Sequence, residues 1–229
     1  MALFIASLNS GSNGNCYYIG NKNEAVFVDA GLSCKETEIR MKRLGLDIRR
    51  VKAIFISHEH SDHILGVTAL VAKYKMPVYV SGPTLKEAGF WKIRQYTLPF
   101  TTQVAIEIGT IRITAFQKKH DASDPHSFVV SEAKTHVGVF TDIGVPCEQL
   151  IHYFKQCHAA FLEANYDEEM LEKGRYPLVL KKRIRGGEGH LSNRQALELY
   201  IRHRPVFMSH LLLSHLSKEN NRPDLVESL

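Results

Sequence analysis

Apolar residues in the first quarter of the chain come in short β-branched and aromatic runs, not at helical spacing. Residues 3–8, 16–19 and 25–29 read as strands, with the turn-rich Ser10-Gly11-Ser12-Asn13-Gly14-Asn15 between the first two. Ser33 and Glu36 form a capping-box pair that opens a helix to about residue 44, with Gly45 as its stop. The run Val51-Lys52-Ala53-Ile54-Phe55-Ile56-Ser57 predicts a buried strand, residues 64–74 a helix, 76–80 a strand and the neighbourhood of Leu85 a short helix. The second half repeats the theme with strands at 104–108, 111–116, 127–130 and 135–140. Pro146 takes a favourable N1 position of a helix, 159–162 is a short buried strand, and 167–173 is a short helix ended by Gly174. Ser192 and Gln195 open a further capped helix carrying Ala196, Leu199 and Tyr200, and 205–208 reads as the last strand. Two strand-rich halves with flanking helices predict an α/β fold, two sheets face to face and helices outside.

Between the strand at 51–57 and the apolar positions Ile64, Leu65 and Val67 lies His58-Glu59-His60-Ser61-Asp62-His63. Five of these six side chains can bind a metal or move a proton, and a loop leaving a strand can aim them at one point. His58 and His60 point the same way in extended chain, while Asp62 and His63 lie past the bend and can face a second ion. Three imidazoles and a carboxylate suit Zn²⁺, with Mn²⁺ or Fe possible. Further ligands must come from elsewhere. Asp29, His120, Asp142 and His215 each follow a predicted strand, where ligands would converge. Asp29 is either a turn cap or a carboxylate behind a ligand imidazole. His136 competes with His120 but sits within a strand, and His210 competes with His215. Glu59 has no assigned duty.

Composition adds limits. At 229 residues one core suffices, and residues 1–229 are read as a single domain. The net charge of +5 favours a polyanionic partner. Four scattered cysteines without a Cys-x-x-Cys pair argue against a disulfide framework and fit a reducing, cytoplasmic setting. The N-terminus is a poor signal peptide, and no apolar run is long enough to cross a bilayer, so no membrane partner is expected.

Taken together, Asp29, then His58, His60, Asp62 and His63, then His120, Asp142 and His215 resemble the ligand series of the metallo-β-lactamase fold superfamily. The resemblance implies an αββα sandwich of two mixed sheets and a two-metal hydrolase, but leaves the substrate open. Phe161-Leu162-Glu163-Ala164-Asn165-Tyr166 is similar to a Glu-containing segment of nucleic-acid processing branches, and Gly189-His190-Leu191-Ser192-Asn193 to a ribonuclease Z segment. His215-Leu216-Ser217 looks like that enzyme's ending. Overall the chain is most similar to the YycJ/WalJ-type branch, which implies a nuclease acting on DNA, plausibly as an exonuclease. On that resemblance His58, His60 and His120 hold one ion, and Asp62, His63 and His215 the other. Asp142 bridges them, and Asp62 orients a hydroxide of lowered pKa. Glu163 would hold His190, which protonates the departing oxygen, near the positive end of the helix starting at Asn193.

Substrate contacts are expected from Ser10, Asn13, Asn15 and Ser217, and from the basic run that includes Lys181, Lys182, Arg183 and Arg185. The run tracks a phosphate backbone or is a solvated helix face, and Ser10 to Asn15 receives phosphate or is only a turn. Trp91 and Tyr96 are expected in the core rather than stacked on a base. Three alternatives stand beside the nuclease: a small-molecule phosphodiesterase, a thioester or lactone hydrolase, and a non-catalytic module.

Overall fold

The computed structural model describes residues 3–228. Its first sheet joins β1 (Phe4–Asn9), β2 (Cys16–Gly20), β3 (Ala25–Val28), β4 (Val51–Phe55), β5 (Val78–Tyr79) and β6 (Thr97–Leu98) in chain order. The second joins β7 (Ile106–Ile108), β8 (Ile111–Gln117), β9 (His126–Glu132), β10 (Thr135–Phe140), β11 (Ala159–Glu163) and β12 (His210–Ser214), again in order. Both sheets are mixed: β1 to β3 and β7 to β10 run antiparallel, and the rest are parallel.

The period of two decides which layer each side chain enters. Along β2 and β3, Tyr17, Ile19, Val26 and Val28 face the second sheet and meet Phe128, Val130 and Phe161. Cys16, Tyr18, Ala25 and Phe27 turn the other way. There they pack with Met41 of α1 (Cys34–Arg43) and with Val67, Leu70 and Val71 of a helix at Val67–Tyr74. Beneath the second sheet, Leu150 and Phe154 of a helix at Glu148–Phe154 join Ala196 and Leu199 of one at Asn193–His203. Strands covered on both faces are apolar throughout, which explains the unbroken runs in the sequence. The expected αββα sandwich is the fold.

Several boundaries differ from expectation. The helix expected at 64–74 is two, α2 (Ser61–Ile64) and α3 (Val67–Tyr74). The break falls at Gly66, where an added Cβ would sit 1.8 Å from the Leu32 carbonyl oxygen. Ser33 accepts from Glu36 N at 3.2 Å, but the Glu36 carboxylate takes Arg40 Nε instead of returning to the cap. α4 (Gly82–Ala88) is followed by a 3-10 segment, Phe90–Tyr96. Pro146 lies outside α5 (Glu148–Phe154), whose cap is Cys147. α6 (Glu168–Lys173) ends at Gly174 as expected, and α7 (Leu178–Ile184) carries the basic run. α8 (Asn193–His203) has both halves of its capping box. Residues 205–208 form no strand; Val206 is fully exposed, and pairing with β11 begins at His210. A short α9 (Pro223–Glu227) follows.

Candidate metal centre

Three backbone segments meet where β3 and β4 end. Asn15 N donates to Asp62 O at 2.7 Å, Ala30 N to His63 O at 2.8 Å, and Gly31 N to Asn15 O at 2.8 Å. Gly31 is required because an added Cβ would lie 1.6 Å from Asp62 O. Gly31→Ala is therefore expected to cost about 3 kcal/mol in stability and to displace Asp62. A thermal melt and metal content read the two effects.

Asp29 leaves β3 at φ 59°, fully buried. Its carboxylate accepts from Ser57 N and Ser57 Oγ at 2.8 Å each, and from His63 Nδ1 at 2.7 Å. Two other imidazoles are held the same way. His120 Nδ1 donates to Gly189 O at 3.0 Å, and His215 Nδ1 to Glu163 Oε1 at 2.9 Å. An acceptor on Nδ1 orients each ring and turns its Nε2 toward the cluster.

Those nitrogens converge. His58, His60 and His120 each offer an atom within 4.8 Å of the others, as do Asp62, His63 and His215. His58 Nε2 is 3.0 Å from His60 Nδ1. Asp142 lies between the two groups, with Oδ2 3.3 Å from His63 Nε2 and Oδ1 3.4 Å from His215 Nε2 and 3.9 Å from His120 Nε2. Tetrahedral ligands with Zn–N bonds near 2.0 Å sit about 3.3 Å apart, so these spacings fit. His120 Nε2, His215 Nε2 and Asp142 Oδ2 are buried and have no hydrogen-bond partner among the described residues. A buried polar atom without a partner is costly, and a cation would satisfy all three. The donor set fits divalent metal.

Charge reinforces the geometry. Burial would raise Asp142, but His215 and His63 override it and hold its carboxyl well below the usual range. Burial would lower His63, yet Asp142 and Asp29 hold it up at about 10. His215 is likewise carried well above the imidazole range, against burial, by Asp142, Asp62 and Glu163. His58 is pushed well down by burial and His120 down to about 4, which leaves both neutral as ligands must be. Protons on His63 and His215 occupy lone pairs a cation needs, and their raised pKa values keep them there through neutral pH. Adding Zn²⁺ to chelator-treated protein is therefore expected to release protons at neutral pH, and uptake to weaken as pH falls. An indicator dye records the release; uptake without it would contradict these ionisation states.

Glu163, the last residue of β11, is fully buried and joins this centre to a second imidazole. Its Oε1 accepts from His190 Nδ1 at 2.8 Å as well as from His215, and Oε2 accepts from Ile143 N at 2.7 Å and Leu191 N at 3.2 Å. Burial opposes its charge, but the adjacent His190 and His215 rings hold it down to about 2. His190 is partly exposed and lines a cavity of about 220 Å³. Several of the candidate ligands share its lining with Tyr176, Leu180 and Ile184.

Residues 10–177 match the Metallo-beta-lactamase superfamily. The chain belongs to that superfamily. Among its relatives, "Exodeoxyribonuclease YycJ" of Bacillus anthracis is 33% identical over 98% of this chain and 86% of its own length. "Exodeoxyribonuclease WalJ" of Streptococcus pneumoniae serotype 2 is 34% identical over 95% of this chain and 83% of its own. The metallo-beta-lactamase fold protein YhfI of Bacillus subtilis shares the fold at a TM-score of 0.76 and 14% identity, covering 99% of this chain and 91% of that one. The superfamily fold implies divalent metal, and the His/Asp cluster supplies the donors.

The other nominated residues of this superfamily member fall into two groups. Ser217 and Arg183 line the cavity, and Lys182 and Asn13 are exposed. Ser10, Asn15, Lys181 and Arg185 are engaged internally. Ser10 Oγ accepts from His215 N at 2.7 Å. Asn15 is fully buried, and its Nδ2 donates to Asp62 Oδ2 at 3.1 Å, so it positions that carboxylate. Lys181 is buried with Nζ on Glu172 O, and Arg185 pairs with Glu172. Lys173 and Arg183 pair with Glu169 and Asp121, so the run is less free for phosphate than its sequence implies. The start of α8 is occupied too: Ser192 N, Asn193 N and Gln195 N are bonded to Gln195 Oε1, Tyr166 O and Ser192 Oγ.

Four supporting residues were not singled out. Ser57 bridges Asp29 and His58. Glu59 Oε1 accepts from Ser123 N and Oγ at 2.8 Å, tying down the loop after His120. The buried Lys118 donates to Thr141 O at 2.7 Å, and Asn165 Nδ2 to His215 O at 2.8 Å. Ser57 adjoins the His58 to His63 segment and Asn165 lies within the Phe161 to Tyr166 segment; Glu59 and Lys118 carry no local signal of their partners.

Proposed function

We propose that this protein is a metal-dependent nuclease, a DNA exonuclease whose site takes two divalent cations, Zn²⁺ or Mn²⁺. Its near-full-length likeness to two relatives named exodeoxyribonucleases supports hydrolysis of phosphodiester bonds in nucleic acid. The observation that carries the reading is Glu163 gripping His190 beside the ligand cluster, since an oxygen leaving a phosphodiester needs a proton.

In this reading His58, His60 and His120 hold one cation, Asp62, His63 and His215 the other, and Asp142 reaches both. Bound there, the cations would supply Lewis acidity and a water of lowered pKa. The remaining work belongs to side chains. Asp62, steadied by Asn15, accepts a proton from the attacking water. Glu163 fixes the His190 ring through Nδ1, so that Nε2, on the opposite edge, delivers a proton to the departing oxygen. Ser217, in the cavity lining, and the exposed Lys182 meet phosphate, and Arg183 joins them only on leaving Asp121. Tyr176, Leu180 and Ile184 give the same cavity an apolar lining that limits water.

The test uses one metal-loaded preparation against end-labelled DNA, RNA, bis(p-nitrophenyl) phosphate and a thioester. Progressive shortening of DNA from one end is expected, suppressed by salt more than hydrolysis of the small diester. Cleavage of the small diester with oligonucleotides left intact would reverse the reading in favour of a small-molecule phosphodiesterase.

A further inference from the structure

Trp91 is the sole tryptophan of the chain and is 74% exposed, against the expectation that it packs in the core. It stands on the 3-10 segment after α4, at a hollow of about 550 Å³ lined by Leu85, Lys86, Phe90, Trp91 and Arg94 among others. We propose that this hollow is a second nucleic-acid contact, where a base of a single strand stacks on Trp91 while Lys86, Lys92 and Arg94 meet its phosphates. The proposal rests on the nuclease reading.

Chemistry selects the occupant. No carboxylate lines the hollow; Glu87, on the same helix, is not among its walls. Lys86, Lys92 and Arg94 form no ion pair among the described residues, whereas three cations of the run at 173–185 are paired with Glu169, Asp121 and Glu172. Lys92 Nζ sits over the Trp91 ring, 4.9 Å from its centroid, so a cation already rests on one face of the indole and a base would take the other. An exposed indole flanked by unpaired cations suits a stacked base with phosphates on either side. The helix α4, which supplies Leu85 and Lys86 to the hollow, is also tied to the loop after His120. Thr84 Oγ1 of α4 donates to Asp124 O at 3.4 Å, on the loop that begins at His120 and is tied down by Glu59.

Because no other indole contributes, Trp91 emission reports the contact directly. Chelator-treated protein is titrated with single-stranded oligothymidylate while emission and the anisotropy of a labelled oligonucleotide are followed. Saturable quenching that diminishes with salt is expected, and Trp91→Ala should weaken binding about tenfold. The metal-loaded Trp91→Ala protein should hydrolyse bis(p-nitrophenyl) phosphate at the parental rate, which also shows that it folds. Oligonucleotide binding with unchanged emission and unchanged affinity in Trp91→Ala would overturn the hollow and leave the nuclease reading standing. Quenching by vesicles of anionic phospholipid but not by the oligonucleotide would overturn it in favour of a membrane surface. Absence of oligonucleotide binding by the chelator-treated protein would overturn the hollow, and absence with the metal-loaded protein too would remove the nuclease reading as well.

Discussion

Asp142→Asn is expected to lower metal affinity by at least about 100-fold and to remove most hydrolysis with it. Asparagine keeps the size of the side chain and tolerates the left-handed backbone at this position, φ 56°. The change thus isolates charge and donor capacity. One oxygen becomes an amide nitrogen that offers hydrogens to His63 Nε2 or His215 Nε2, where a cation needs lone pairs. The negative charge between the two ligand sets is lost as well. Elemental analysis reads the metal, and circular dichroism checks that the fold persists. Full metal content in a folded Asp142→Asn protein would show that this carboxylate is not shared.

The second large effect separates proton delivery from ligation. His190→Ala should slow DNA cleavage by about 10²–10⁴-fold while leaving metal content unchanged. Hydrolysis of bis(p-nitrophenyl) phosphate should fall far less, because p-nitrophenolate departs without a proton. That contrast is what a merely structural role would not produce. A rival outcome has a structural basis, since Asp142, Glu163, His190 and His215 also bring one ligand atom each within 4.8 Å. Loss of metal in His190→Ala would make His190 a ligand and leave the leaving oxygen without its donor.

What the sequence made legible, and what it hid, follows from the range of the forces involved. His58 to His63 could be read because the donors are neighbours in the chain, Asp29 and Asp142 because each follows a predicted strand, and His215 through the resemblance of its flanking segment, since the strand expected before it at 205–208 does not form. Their backbone could not be read. All three take positive φ, as only six non-glycine residues do among those described. That strain is imposed by packing from distant segments, such as His215 N on Ser10 Oγ. The same limit explains the helix expected at 64–74: the apolar spacing was right, but the Leu32 carbonyl fills the space beside Gly66. Val206 and Phe207 have strand-like propensity yet remain exposed, while pairing with β11 selects His210 to Ser214. The basic run is a linear feature that folding neutralises with Asp121, Glu169 and Glu172. Glu163 was legible as the partner of His190, but its second grip, on His215, depends on β11 and β12 lying side by side.

The central claim is a nuclease that works through two cations held by side chains from four distant parts of the chain. It is tested most directly by titrating Zn²⁺ or Mn²⁺ into chelator-treated protein while following release of nucleotides from end-labelled DNA. The account predicts no cleavage without metal and a rise that levels off at two equivalents per chain. Cleavage that survives chelation, or that is complete at one equivalent, would contradict it.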